Sequence, residues 1–204
     1  MNADPQFKKG RKFDQVIAGA REVFMREGFE GASVDVIARD AGVSKATLYS
    51  YFPDKKALFL AVLQGECNIQ KRAQLDLACQ DVDVPAALHH IVSSALNFLL
   101  SETGLAIFRT CVAEAQRFPD LGQAYYDAGP GNGIEQLTAF MASPNVQAAL
   151  DISDPRQAAD TLMQLCRSDL MLQRLMGVAA EPDDETIETH ARQAVRTFLA
   201  RYGR

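Results

Sequence analysis

Residues 42–59 read Gly42-Val43-Ser44-Lys45-Ala46-Thr47-Leu48-Tyr49-Ser50-Tyr51-Phe52-Pro53-Asp54-Lys55-Lys56-Ala57-Leu58-Phe59. Ser44 carries a side-chain oxygen able to cap a helix over Lys45 to Tyr51, and Pro53 closes that helix because the residue before a proline is pushed out of helical geometry. Asp54 then caps a long fourth helix through about Ala78. Immediately upstream, Ser33 caps a helix over Val34 to Ala41, which stops at Gly42 because only glycine takes positive φ cheaply. Ala38, Gly42 and Leu48 suit two short helices crossing near a right angle: the alanine keeps the crossing close, the glycine permits the turn, and Val43 and Leu48 point back into a core. Lys45, Ala46, Tyr49 and Ser50 are left on the outward face, and a short polar helix with a lysine near its N-terminus can enter a major groove.

Working outward, Val16, Ile17, Ala20, Val23 and Phe24 recur at helical spacing from Asp14 to Glu27. Gly28 sits where a left-handed cap belongs, with Phe29 able to fold back on Phe24. Downstream the chain stays helical. Pro85 opens a helix to about Ser101, Leu105 to Arg117 forms another, and Pro119 opens a third that Gly129-Pro130-Gly131-Asn132-Gly133 should break or kink before it resumes from Ile134 to Met141. Asp154-Pro155 launches Arg156 to Met176, and a last helix spans Glu185 to Tyr202. About nine helices and no convincing strand predict an all-α fold, with a helix-turn-helix domain over 1–56 and a helical domain over 57–204.

The net charge of −5 is unevenly divided. Residues 1–56 hold ten Lys/Arg against eight Asp/Glu, leaving eleven against eighteen for the rest, so a mildly basic head precedes an acidic body. Lys8-Lys9-Gly10-Arg11-Lys12 is either a solubilising tail or an arm that reaches phosphate or a minor groove. No stretch approaches the roughly 18 apolar residues needed to span a bilayer, and Met1 to Lys12 is too polar for a secretion signal, so a cytoplasmic protein without membrane partners is expected. Cys67, Cys79, Cys111 and Cys166 form no CxxC pair, which predicts free thiols and neither metal nor cofactor.

The opening stretch, extended back through Ala18-Gly19-Ala20-Arg21-Glu22-Val23-Phe24 and Gly28-Phe29, closely resembles the DNA-binding domain of TetR/AcrR-family repressors. Ala46 replaces the glycine often seen there, and Lys56 stands where glutamate is frequent. Phe118-Pro119-Asp120-Leu121, Tyr125-Tyr126-Asp127-Ala128-Gly129-Pro130 and Cys166-Arg167-Ser168-Asp169-Leu170 look like the C-terminal domain of the AefR-like branch. The resemblance implies a two-fold dimer on double-stranded operator DNA, released by a small-molecule inducer. It also implies that Lys45, Ala46, Thr47 and Tyr49 occupy the recognition-helix contact positions, Tyr51 and Lys55 lie against backbone phosphate, and Ser33 holds the matching position on the second helix. Lysine can donate to guanine O6 and N7, and hydroxyls can donate to phosphate. Ser44 and Ser50 complete the expected set. Alternatively, Tyr49 and Tyr51 only pack, Ser44 only caps, and Lys55 is a solvated charge.

In the body, Phe98, Phe108, Arg109, Cys111, Tyr125, Tyr126, Met163, Cys166 and Asp169, with His89 and Glu114, are candidate pocket residues, set against an ordinary-core reading. Arg109 and Asp169 stand out because charges amid apolar runs need partners, which could be one another. Residues 156–176 carry an apolar surface too wide for one neighbour, while Ile187, Ala191, Ala194, Val195 and Phe198 stripe 185–202; together they predict a four-helix dimer interface. Enzymatic readings find little support. None of His89, His90 and His190 has a glutamate three residues before it, as a di-iron bundle would need, and 129–133 is not GxGxxG. The rival binding class, a ligand-independent structural or non-specific DNA-binding protein, conflicts with the acidic body.

Overall fold

The computed structural model describes residues 10–78 and 83–204, with the backbone alone over 67–78. Lys8 and Lys9 of the basic arm, Cys79 and the side chain of Cys67 lie outside what it describes. Twelve α-helices follow in order: α1 (Arg11–Gly31), α2 (Val34–Asp40), α3 (Lys45–Tyr51), α4 (Lys55–Ala78), α5 (Val84–Leu100), α6 (Glu102–Glu114), α7 (Pro119–Tyr126), α8 (Asn132–Met141), α9 (Pro144–Ala149), α10 (Pro155–Cys166), α11 (Asp169–Leu175) and α12 (Asp184–Tyr202). The described residues contain no strand, and the all-α expectation holds with three more helices than the nine read from periodicity. By contact the chain forms two compact units, residues 1–66 with 110–124 and residues 67–109 with 125–204.

The first unit is organised by aromatic packing. Phe24 and Phe29 both meet Phe59, at 5.0 and 5.4 Å between centroids, and stack on one another at 6.1 Å. That contact depends on Gly28, whose φ of 70° interrupts α1 and turns Phe29 inward; the helix then resumes for one turn to Gly31. Val16, Ala20, Val23, Ile37, Ala38, Leu48, Leu58 and Leu63 fill the remainder of this core. Phe118 adds its ring to Phe29 at 5.7 Å, Arg117 pairs with Glu30, and Asp120 pairs with Lys56 at 2.7 Å.

The second unit buries one contiguous core drawn chiefly from α5, α8, α10 and α12, including Leu88, Leu96, Met141, Leu162, Ala191 and Phe198. Two expectations change here. The segment read as one helix over 156–176 is two, because Arg167 (ψ 61°) and Ser168 (ψ 173°) leave helical geometry. Serine and aspartate favour helix starts over interiors, and Ser168-Asp169 begins α11. The apparently over-wide apolar surface was two faces on two helices: α10 buries Ala158, Ala159, Leu162 and Cys166, whereas α11 leaves Leu172 exposed. The apolar stripe of α12 is likewise turned into its own protomer. Ile187, Ala191, Ala194, Val195 and Phe198 are all buried there, so they are unavailable to a partner subunit.

The glycine-rich stretch does not break its helix. Asp127–Gly131 is a π-helical turn running directly into α8, with Tyr126, Gly131 and Asn132 all in right-handed helical geometry. Pro130 lacks an N–H and would crowd the carbonyl four residues earlier, and a widened turn relieves both problems. The Asp154 cap forms as expected, its Oδ1 accepting from the amides of Arg156 and Gln157 at 3.0 Å each.

Candidate nucleic-acid interface

Helices α2 and α3 are held by local chemistry. Ser33 Oγ accepts from the Asp35 amide at 3.2 Å, and Ser44 Oγ accepts from the Thr47 amide at 3.1 Å. Gly42, at φ 65°, carries the turn, and the Val43 amide donates back to the Ala38 carbonyl at 2.9 Å. The crossing over α1 is closer than Ala38 alone would suggest. A Cβ on Gly19 would stand 2.8 Å from the Ala41 amide nitrogen, so glycine is required where α2 ends against α1. Gly19 had no visible role in the sequence, since its partner lies 22 positions away.

Leu48 is fully buried, and this fixes the rotation of α3. Lys45, Ala46, Tyr49 and Ser50 are exposed on the opposite side, Tyr49 at 49%, while Thr47 is half-buried. The hydroxyls are engaged locally: Ser44 Oγ and Thr47 Oγ1 lie 2.9 Å apart, and Ser50 Oγ donates to the Thr47 carbonyl at 2.6 Å. Tyr51 rests edge-on against Phe13, 5.7 Å between centroids.

Lysine placement is less uniform than the sequence suggested. Lys45 forms an ion pair with Asp35 of the first turn of α2, both side chains remaining more than half exposed. Lys55 is half-buried; its ammonium donates to the carbonyls of Glu30 (3.2 Å) and Ala32 (3.1 Å) and lies 4.8 Å from the Phe29 ring centroid. Lys56 donates to Asp120, holding that carboxyl below the usual range. Arg39 pairs with Asp40 at 3.1 Å. The cations of α2, α3 and the start of α4 are thus all engaged within this unit.

The body candidates do not gather at one place. Phe108 and Tyr125 meet at 6.2 Å, Phe98 is half-buried, Met163 packs on the core, and Tyr126 is 53% exposed. Arg109 and Asp169 do not pair. The Arg109 guanidinium donates to the carbonyls of Arg174 (2.6 Å) and Leu175 (3.0 Å), closing the C-terminal end of α11, and Asp169 accepts from Gln173 at 2.5 Å. Burial pushes the Cys166 thiol up to about 12, so it stays protonated; Cys111 is also buried, but within the first unit. His89 contacts Glu188 at 3.1 Å, and Glu114 accepts the amides of Arg117 and Phe118 through its carbonyl. A cavity of about 430 Å³ opens between α11 and α12; of the candidates only Asp169 lines it, beside the unpartnered hydroxyl of Ser168. Sequence reasoning missed Arg174, a buried guanidinium that donates to the Leu100 carbonyl (3.1 Å) and the Glu102 carboxylate (2.8 Å). No group of three potential metal ligands occurs among the described residues, and no single helix there is long and apolar enough to cross a membrane.

Comparison with known proteins agrees with this arrangement. Residues 16–62 match the tetR family of bacterial regulatory proteins, and residues 86–204 match the C-terminal domain of AefR-like transcriptional repressors. The transcriptional regulator UidR of Escherichia coli K12 is 26% identical over 188 residues, 91% of this chain and 89% of UidR. Other curated regulators match more briefly, the chain spanning about a quarter of their length. Among solved structures, a TetR-family regulator from Mesorhizobium loti superposes with a TM-score of 0.86 at 26% identity, covering 98% of this chain and all of that one. The flavonoid-responsive regulator FrrA gives a TM-score of 0.73 at 33% identity over 96% of this chain and 98% of its own. The chain belongs to the TetR family of DNA-binding transcriptional regulators, with a C-terminal domain of the AefR-like type.

Proposed function

We propose that the chain is a homodimeric repressor that binds a two-fold operator through α3 and is released by a small-molecule inducer held in the C-terminal domain. The observation that carries this reading is the rotation of α3: Leu48 is sunk in the core while Lys45, Ala46, Tyr49 and Ser50 face outward at the N-terminal end of a capped helix. In this reading Ser33, Ser44, Thr47 and Tyr51 flank that face and Lys55 leaves its carbonyl partners for a phosphate. The head comprises residues 1–56 and the regulatory domain 57–204. Dimerisation uses the exposed apolar side chains Leu172 and Met176 together with the outer surface of α12. Of the expected ligand contacts, Asp169 at the cavity between α11 and α12 is the one this reading carries forward, and the name of FrrA lends support to a responsive regulator. The protein acts in the cytoplasm.

Operator recognition is tested by selecting duplexes from a random pool with the purified protein. A palindromic consensus with half-sites about one helical turn apart is expected. Recovery of no consensus would remove sequence-specific repression and favour a non-specific DNA-binding protein. Induction is tested by mass spectrometry of molecules retained on purification, followed by calorimetry with and without the selected duplex. Linkage requires duplex and ligand to weaken one another by the same factor, so equal ligand affinities in both titrations would exclude induction.

A further inference from the structure

We propose that Asp35 is a specificity-determining positioning residue, whose pairing with Lys45 keeps that lysine available to base edges and withholds it from phosphate. This rests on the operator-binding reading above. The pair joins the first turn of α2 to the first residue of α3, with the Lys45 and Asp35 side chains 54% and 67% exposed. Exposed ion pairs contribute little to folding, so stability gives a weak reason for a carboxylate here. Its cost to DNA binding is direct, since it brings a negative charge to the surface that must approach phosphates.

The stoichiometry of the ammonium shows how that cost becomes selectivity. Lysine has three donors and rotates freely. On an operator presenting guanine O6 and N7, one donor stays with Asp35 while the others meet the base. On a duplex without those acceptors, Lys45 contributes only by leaving Asp35 for a phosphate, so the ion pair competes with non-specific binding and is compatible with specific binding. A second cation of α2 is held in the same way, Arg39 by Asp40 at 3.1 Å.

The test compares the wild type with Asp35→Asn on two duplexes, the palindrome recovered by selection and a shuffled duplex of equal composition. Removing a carboxylate tightens every complex alike through charge, so the ratio of affinities carries the result. The palindrome-to-shuffled ratio should fall about tenfold per dimer, about threefold per head, which lies within the range of an exposed pair. The salt slope on the shuffled duplex should steepen by about 0.9 per head as Lys45 reaches phosphate. Asp35→Glu should restore most of the ratio. A second measurement does not depend on how well Asp35→Asn folds: in the otherwise wild-type protein Lys45→Ala weakens every complex through charge, but its salt slope on the shuffled duplex should stay unchanged, because Lys45 makes no phosphate contact there. An unchanged ratio in a folded Asp35→Asn protein, or a salt slope on the shuffled duplex that falls by about 0.9 per head in Lys45→Ala, would overturn the proposal. Failure of the wild type to select any palindrome would instead overturn the operator-binding reading.

Discussion

Helices α3 and α12 both looked amphipathic, yet they spend their side chains differently. Of the seven residues of α3 only Leu48 is buried, whereas α12 buries Ile187, Ala191, Ala194, Val195, Phe198 and Tyr202. The short helix is held by its caps, the Gly42 turn and one leucine, which leaves most of its surface without a structural duty. The long helix is held by its whole stripe. An apolar stripe therefore identifies the side facing a core, while the surface available to a partner is the remainder. On that logic DNA contact belongs to the outer face of α3, and dimer contact to residues of the second unit that stay exposed, such as Leu172 and Met176.

The largest effect should come from breaking the stripe of α12. Phe198 is completely buried, and large-to-small changes at such sites cost about 3–5 kcal/mol, so Phe198→Ala should lower Tm on the order of 10 °C whether or not the protein is dimeric. A calorimetric Tm within a degree or two of wild type would place Phe198 outside the core. Next in size is Leu172→Glu combined with Met176→Glu, which adds charges where side chains are 53% and 72% exposed in the protomer. Light scattering should report a monomer whose helical circular dichroism is intact, and a persisting dimer mass would exclude this face from the interface.

The two helices also show what a sequence can disclose. Ser33, Ser44, Asp54 and Asp154 cap as expected, and Gly28 and Gly42 take positive φ, because caps and turns are decided within four residues. The inward side of α3 was legible for the same reason. Gly19 against Ala41 and Arg174 against the Leu100 carbonyl were not, since both are matched by residues distant in sequence. Arg109 shows the ambiguity plainly: its charge amid apolar residues correctly signalled a partner, but that partner is a pair of carbonyls at the end of α11 rather than Asp169. The split between α10 and α11 carried a signal in Ser168-Asp169 that the continuous apolar pattern outweighed.

On the recognition face the effects are smaller in energy and sharper in meaning. Lys45→Ala removes no core contact, so Tm should stay within a degree or two of wild type while discrimination among base pairs at one position of each half-site relaxes roughly tenfold. Repeating the selection with the variant would show this as a degenerate position in an otherwise intact consensus. An unaltered consensus would mean that Lys45 does not read bases.

The smallest expected effect, at Lys55, decides whether the border between core and interface is sharp. Its ammonium already satisfies the Glu30 and Ala32 carbonyls at the end of α1 and lies over Phe29, so it belongs partly to the structural side of the comparison. A phosphate can still recruit it, because leaving two neutral carbonyls for an anion exchanges weaker hydrogen bonds for charge-assisted ones. Lys55→Met retains the aliphatic stem over the ring and removes only the donors, which isolates the ammonium better than alanine does. If Lys55 switches partners, the variant should bind every duplex more weakly and lose about one unit of salt slope per head, with the consensus unchanged. If it stays with the carbonyls, the salt slope should not move and the deficit should appear as a lower Tm. A salt series on the selected palindrome, run beside a thermal melt, separates the two outcomes, and an unchanged slope would assign Lys55 to the scaffold that carries α2 and α3 instead of to the surface that meets DNA.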